Sequence, residues 1–215
     1  MGESCMENHN MKIYKFFEFI ARMGQIVRWS LMRNIRQEDL KQHSFDVAVL
    51  AHALATIRNV YFSGTLDPNM AAVFALYHDT AEVFTGDIPT PIKFFGGGVV
   101  KSIVNQLEGL AINKMVGSLP DKLQPVYRAV FTIPPLYLDV IKAGDRIAAL
   151  QKCREELAFG NPEFAPASAR FQELLDLSDL PEVKYFVENF MSERPMSLDE
   201  LIEGNGAWLL EGGLE

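Results

Sequence analysis

The sequence predicts an all-α fold in one domain, and three observations predict it. Apolar residues recur at three- and four-residue spacing in one segment after another, glycine and proline clusters separate those segments, and no alternating strand pattern is strong enough to assign. A chain of 215 residues that is 48% hydrophobic and 22% charged can bury a sizeable core and suits one domain better than two. The domain is expected over residues 12–203, with an N-terminal tail at 1–11 and a C-terminal tail at 204–215.

The first helix is expected over residues 12–23, where Ile13, Phe16, Phe17 and Ile20 share a face. Ser44 is the expected cap of the next, with Asp46 in its first turn and Phe45, Ala48, Val49, Ala51 and Leu54 supplying an apolar surface as far as Ile57. Asp67-Pro68 reads as a cap and first helical position. The third helix is expected to run through His78-Asp79 to Phe84 and to stop at Gly86-Asp87-Ile88-Pro89-Thr90-Pro91. After the break at Gly96-Gly97-Gly98 the helical period resumes over 99–115, and Pro120 and Pro125 punctuate a shorter helix. Pro134-Pro135 marks the start of a long helix over 136–159, rich in strong helix formers and stopped by Gly160. Further helices are expected over 164–175, 182–190 and 197–202, the last opened by a Ser-x-x-Glu box at Ser197 and Glu200.

The formal net charge of -8 argues against general binding to a nucleic acid backbone, although a cation and an arginine can reverse the sign locally for a small anion. Cys5 and Cys153 are too few for a disulfide framework and fit a reducing, cytoplasmic setting. The longest apolar run, near 47–57, is about half of the ~20 residues a spanning helix needs, so no membrane partner is expected. Residues 1–11 lack the basic and apolar order of an export signal.

His43, His78-Asp79 and Asp145 are the candidate ligands of one divalent cation, a mixed nitrogen and oxygen set suited to Mn, Fe, Co or Zn. His78 and Glu82 are four apart and Asp79 and Glu82 three apart, so one helix can aim all three to one side. Gly144 permits a close backbone approach beside Asp145. Each residue alone also fits a packing role, His78 as a core histidine and Asp145 as a partner of Arg146. The ordered set is harder to assign to packing, because ionised groups are costly to bury unpaired. His52, nine residues after His43 and about half a turn away, should not share the ion, and His9 lies in the tail. A mononuclear centre is therefore expected.

Arg28-Trp29 lies in a stretch without helical period and can pair a phosphate and lay an indole against a sugar or base. Composition alone fits equally a core tryptophan beside a solvated arginine. Asp87 and Thr90 bracket a proline turn, where they can bond a hydroxyl or simply punctuate the helix.

These residues resemble the HD-domain phosphohydrolase superfamily, and within it the bacterial 5′-deoxynucleotidases of the YfbR type. The resemblance rests on residues 28–34, on 38–44 ending near His43, on 77–91 with its Gly-Asp-Ile-Pro-Thr-Pro segment, and on Lys142 to Asp145 and Lys152 to Asn161. It implies an HD-domain helical bundle that releases phosphate from deoxyribonucleoside 5′-monophosphates with one divalent cation, Co2+ or Mn2+ foremost and Zn2+, Fe2+ or Mg2+ admitted. It also implies a homodimer. Carried over by position, His43, His78, Asp79 and Asp145 match the metal ligands, Glu82 the catalytic acid/base, and Arg28, Trp29, Asp87 and Thr90 the substrate pocket, the tryptophan excluding the ribose 2′-hydroxyl. The chain departs from the family pattern between Tyr127 and Leu138, where Pro134-Pro135 stands in a shortened connection. A related triphosphate hydrolase and a non-catalytic metal- or nucleotide-binding protein stay open as alternatives.

Overall fold

Asp39 opens the central helix. Its carboxylate accepts from the N–H groups of Lys41 and Gln42, and the Gln42 side chain accepts from the Asp39 N–H, a reciprocal capping box that starts α2 (Leu40–Tyr61). The helix thus begins before Ser44, which is buried inside it rather than capping it, and His43 falls in its first turn. A short polar run, Gln37 to Gln42, hid this start, because it carries the cap but little apolar period.

The computed structural model describes residues 13–203, and its regular elements are helical, with one isolated antiparallel bridge between Val27 and Asp39. The expected tails, with His9 and Cys5, lie outside the described residues. α2 is the hub: Val47, Leu50, Ala51, Leu54, Ala55 and Ile57 are buried in the main core. Against it pack α3 (Pro68–Tyr77), α8 (Pro135–Ala158) and α10 (Pro181–Phe190), which add Phe74, Val140, Ile141, Ile147, Leu150 and Val183. α8 comes up against α2 at Gly144, where a Cβ would stand 3.4 Å from Val47 O, Leu50 Cβ and Ala51 N. A branched side chain there would force the helices apart.

Asp67 caps α3 as the sequence predicts, accepting from Asn69 and Met70 N–H with Pro68 at the first position. The helix does not run on to Phe84. It ends at Tyr77, and bonds from Thr80 N to Tyr77 O and from Glu82 N to Asp79 O carry the chain through turns into the single-turn α4 (Glu82–Thr85). Apolar Ala81, Val83 and Phe84 keep the helical spacing through this turn, so periodicity alone could not reveal it.

The first helix is also shorter than expected: α1 (Phe16–Ala21) passes into a 3-10 turn, Arg22–Gln25. Phe16 is its core anchor, packed with Met115, Leu119, Tyr127 and Phe131, while Ile13 and Phe17 are exposed. After α5 (Thr90–Lys93), the three glycines at 96–98 all take positive φ, and α6 (Val99–Val116) and α7 (Gln124–Val130) follow. The Pro134-Pro135 connection starts α8 directly, with Pro134 as its cap position. Beyond α9 (Ala165–Asp176) and α10, Ser197 and Glu200 form the expected reciprocal bonds at the start of α11 (Leu198–Glu203). Among the described residues, no helix is long and apolar enough to cross a membrane.

Replacing Asp39 by Ala removes the box that fixes where α2 begins. Chemical denaturation should find the variant less stable by about 1 kcal/mol; an unchanged midpoint would contradict the capping role.

Candidate metal and nucleotide site

Three helical elements bring four sequence-predicted residues together. The first turn of α2 supplies His43, the end of α3 supplies His78 with Asp79 after it, and α8 supplies Asp145 directly after the Gly144 contact. His43 Nε2 lies 3.1 Å from Asp145 Oδ1 and 3.7 Å from Asp79 Oδ2, and His78 Nε2 lies 3.0 Å from Asp79 Oδ2. One ligand atom each from His43, His78 and Asp145 lies within 4.8 Å of the others. His52 is on an exposed part of α2, away from buried His43.

The fit to a cation can be judged from the nitrogens. His78 Nδ1 is 2.6 Å from the Ala75 carbonyl, so Nδ1–H donates there and Nε2 is the atom presented to the cluster. His78 Nε2 and both ring nitrogens of His43 are buried with no hydrogen-bond partner, although carboxylates stand close by. Two imidazoles with two carboxylates form a donor set that a divalent cation satisfies. Burial lowers the pKa of His78, but Asp79 and then Asp145 outweigh it and hold the imidazole at about 9. A cation taking Nε2 therefore displaces a proton. Asp79 and Asp145 are held below the carboxylate range, burial being outweighed by His78 at the first and by His43 at the second.

Arg28 and Trp29 border this cluster. The Arg28 guanidinium reaches Asp79 Oδ2 at 3.5 Å and Asp145 Oδ1 at 4.0 Å, while its Nε lies 3.2 Å from Glu38 Oε2. That same Glu38 oxygen accepts from Trp29 Nε1 at 2.9 Å. Trp29 has a φ of 58°, its N–H donates to Asp87 Oδ2 at 3.3 Å, and its ring packs on Phe164 and Phe171. Asp87 is thus brought to Trp29. Thr90 is exposed at the first residue of α5.

The other end of α5 places Lys93 Nζ 3.2 Å from Glu82 Oε1. Glu82 is buried and its Oε2 has no partner. Burial first, and Asp79 second, push its pKa up to about 8 despite Lys93. Sequence reasoning singled out neither Lys93 nor Glu38 as site partners. Lys93 carries a weak signal, the lone cation after the Pro-Thr-Pro turn; Glu38 carries none, since its partners come from a loop ten residues upstream.

A carboxyl raised from 4.5 to about 8 stabilises the fold below pH 4.5 and loses that contribution as pH climbs to about 8. In chelator-treated protein, Glu82→Gln should therefore gain stability relative to the unmodified chain between those limits. Denaturation curves at a series of pH values check this; a constant difference between the two would contradict it.

Comparison with known proteins identifies the family of the chain. Residues 15–194 match the sequence family described as YfbR-like, 5′-deoxynucleotidase YfbR-like. The chain is similar to a 5′-deoxynucleotidase of Vibrio cholerae, 41% identical over 86% of this chain and 97% of that protein. It is likewise similar to the 5′-deoxynucleotidase YfbR of Escherichia coli, 40% identical over 89% of this chain and 97% of the relative. Among solved structures, an HD-domain phosphohydrolase from Listeria innocua shares the fold at a TM-score of 0.72 and 20% identity, covering 82% of this chain and 86% of that one. A cyanophage S-2L HD phosphohydrolase, described as bound to dA and one catalytic Zn2+ ion, does so at a TM-score of 0.54 and 19% identity, covering 80% and 93%. On the match over most of its length, this chain belongs to the YfbR-like 5′-deoxynucleotidase family.

Proposed function

We propose that this protein hydrolyses deoxyribonucleoside 5′-monophosphates to deoxyribonucleosides and phosphate, with His43, His78, Asp79 and Asp145 holding one divalent cation. The observation that carries this reading is the placement of a half-buried arginine and an indole, through one Glu38 oxygen, directly beside a His/Asp cluster with buried imidazole nitrogens. The donor set suits Co2+ or Mn2+, and a relative of the same fold is described with one catalytic Zn2+ ion. Such a cation lowers the pKa of a bound water and offsets phosphate charge.

The chain's own groups then divide the work. Arg28 neutralises the phosphate, its guanidinium already aimed across the two carboxylates. As water attacks phosphorus and the bond to the leaving 5′-oxygen breaks, Glu82, which holds a proton near neutral pH, can deliver it to that oxygen and recover one from the attacking water, with Lys93 fixing one carboxyl oxygen. The Trp29 indole checks the sugar at the 2′-position, and Asp87, whose Oδ2 is engaged by the Trp29 N–H, joins Thr90 in bonding the sugar hydroxyl.

We also read the active form as a cytoplasmic homodimer. Cys153 is a free buried thiol, in keeping with a reducing compartment, and α6 exposes Val99, Ile103, Leu107 and Leu110 along one stripe, a surface suited to a second copy. Light scattering should give twice the chain mass, reduced to one chain by Ile103→Asp with Leu110→Asp; a monomeric unmodified protein would contradict the dimer.

The activity is tested by phosphate release from deoxy- and ribonucleoside monophosphates across Co2+, Mn2+, Mg2+ and Zn2+, with a chelator control. Turnover should need the metal, prefer deoxynucleotides and fall by roughly a thousandfold or more in Asp145→Ala, since several kcal/mol of charge stabilisation are lost. Trp29→Ala should lower the deoxy-over-ribo preference by roughly tenfold or more. Full activity in folded Asp145→Ala would refute the ligand assignment.

A further inference from the structure

The loop that carries Arg28 and Trp29 is tied down at its far end by side chains with no place in the chemistry so far. Glu156 on α8 is fully buried, and its two oxygens accept from the N–H groups of Ile35 at 2.9 Å and Arg36 at 3.0 Å. It also accepts from Asn161 Nδ2 at 2.8 Å and from Lys152 Nζ, one turn earlier on the same helix. Lys152 Nζ donates in addition to the Arg36 carbonyl, and Asn161 Nδ2 donates to the Arg33 carbonyl at 2.7 Å. A single buried carboxylate thus gathers one cation, one amide and two loop N–H groups, and its two side-chain partners reach back to loop carbonyls. Charge-assisted bonds of this kind are the strong ones, and removing the acceptor leaves several donors buried unpaired.

The near end of the loop shows why such a fastening is needed. Trp29 adopts a φ of 58°, a conformation that a bulky side chain holds only when its surroundings over-determine it. Asp87 holds its N–H, Asn34 Nδ2 holds its carbonyl at 3.1 Å, and Glu38 holds its indole N–H. Asn34 is itself part of the loop and directly precedes the Ile35 and Arg36 amides that Glu156 grips. Loosening the far end frees the residue that braces the tryptophan carbonyl.

We infer that Glu156 and Asn161 are positioning residues for sugar selection, fastening residues 33–36 to α8 so that Trp29 is held as a preformed gauge before substrate arrives. The inference rests on the deoxynucleotidase reading of the site and extends it to residues that touch neither the cation cluster nor the substrate-binding groups. Burial, which alone would raise the Glu156 pKa, is outweighed by Lys152, Ile35, Asn161 and Arg36, and the carboxyl sits at about 2, so the fastening stays charged through the neutral range.

The test uses the full chain with Glu156→Gln and, as a milder change, Asn161→Ala. Hydrogen exchange followed by mass spectrometry reads residues 33–37, and steady-state kinetics with paired deoxy- and ribonucleotides reads the preference. Exchange at these amides should accelerate about tenfold or more. The deoxynucleotide KM should rise and the deoxy-over-ribo ratio of kcat/KM should fall roughly 3- to 10-fold, while kcat on the deoxynucleotide stays within about threefold. If Glu156→Gln fails to fold, Asn161→Ala carries the test alone. A loop that exchanges faster while both KM and the sugar ratio stay unchanged would overturn the inference, as would unchanged exchange or an equal loss of kcat on both sugars. An unmodified protein that releases no phosphate or has no sugar preference would instead overturn the underlying reading, and that outcome is seen before any variant is made.

Discussion

The close approach of α2 and α8 at Gly144 is the constraint on which the site depends. A Cβ added at Gly144 would already stand 3.4 Å from Val47 O, Leu50 Cβ and Ala51 N, so the space beside this stretch of α8 is filled by α2. His43 lies one turn before Val47, and Asp145 is the next residue after the glycine. The contact that closes the hydrophobic core therefore also sets the imidazole against the carboxylate at 3.1 Å. Separating the helices by one methyl layer would open that pair without unfolding either helix.

Charge is concentrated around this contact. Asp79, Asp145, Glu38 and Glu82 lie near Arg28, Lys93 and the two imidazoles, and several of these groups are largely out of water. Isolated charges in such a place are costly, and pairing only part of them leaves the rest exposed to a low dielectric. The result is a divided set of protonation states: the two aspartates are held ionised, while Glu82 a few residues away is pushed toward the neutral acid. Environments that drive neighbouring carboxyls apart in pKa separate a binding role from a proton-transfer role.

The legibility of all this in the sequence was uneven for physical reasons. Helix identity was plain because apolar period and Pro/Gly punctuation are local signals; the Asp67-Pro68 start, the Ser197 box and the Pro134-Pro135 start of α8 all appear in the structure as read. The four cluster residues were legible as a set because two His-bearing segments and one Gly-Asp step stood out against apolar helices, and the structure does bring them together. The break of α3 at His78 was not legible, since the residues after it keep helical spacing while their backbone bonds change from four-residue to three-residue steps. Nor was the role of Glu38 as shared acceptor, or of Glu156 and Lys93. Their partners lie 9, 121 and 11 residues away, and pairings across loops leave no periodic trace. Asp39 and Ser44 are both good caps, and only the reciprocal bond with Gln42 decides between them.

One cation held by His43, His78, Asp79 and Asp145 is the centre of the proposed site. X-ray absorption on protein loaded with Co2+ or Mn2+, together with metal analysis, measures this most directly, because the first reports nitrogen ligation and the second counts cations per chain. The expected result is one cation per chain with two imidazole nitrogens among its ligands, a signal lost in His43→Ala and in His78→Ala. Binding that survives removal of both imidazoles, or no stoichiometric binding to the unmodified chain, would contradict it.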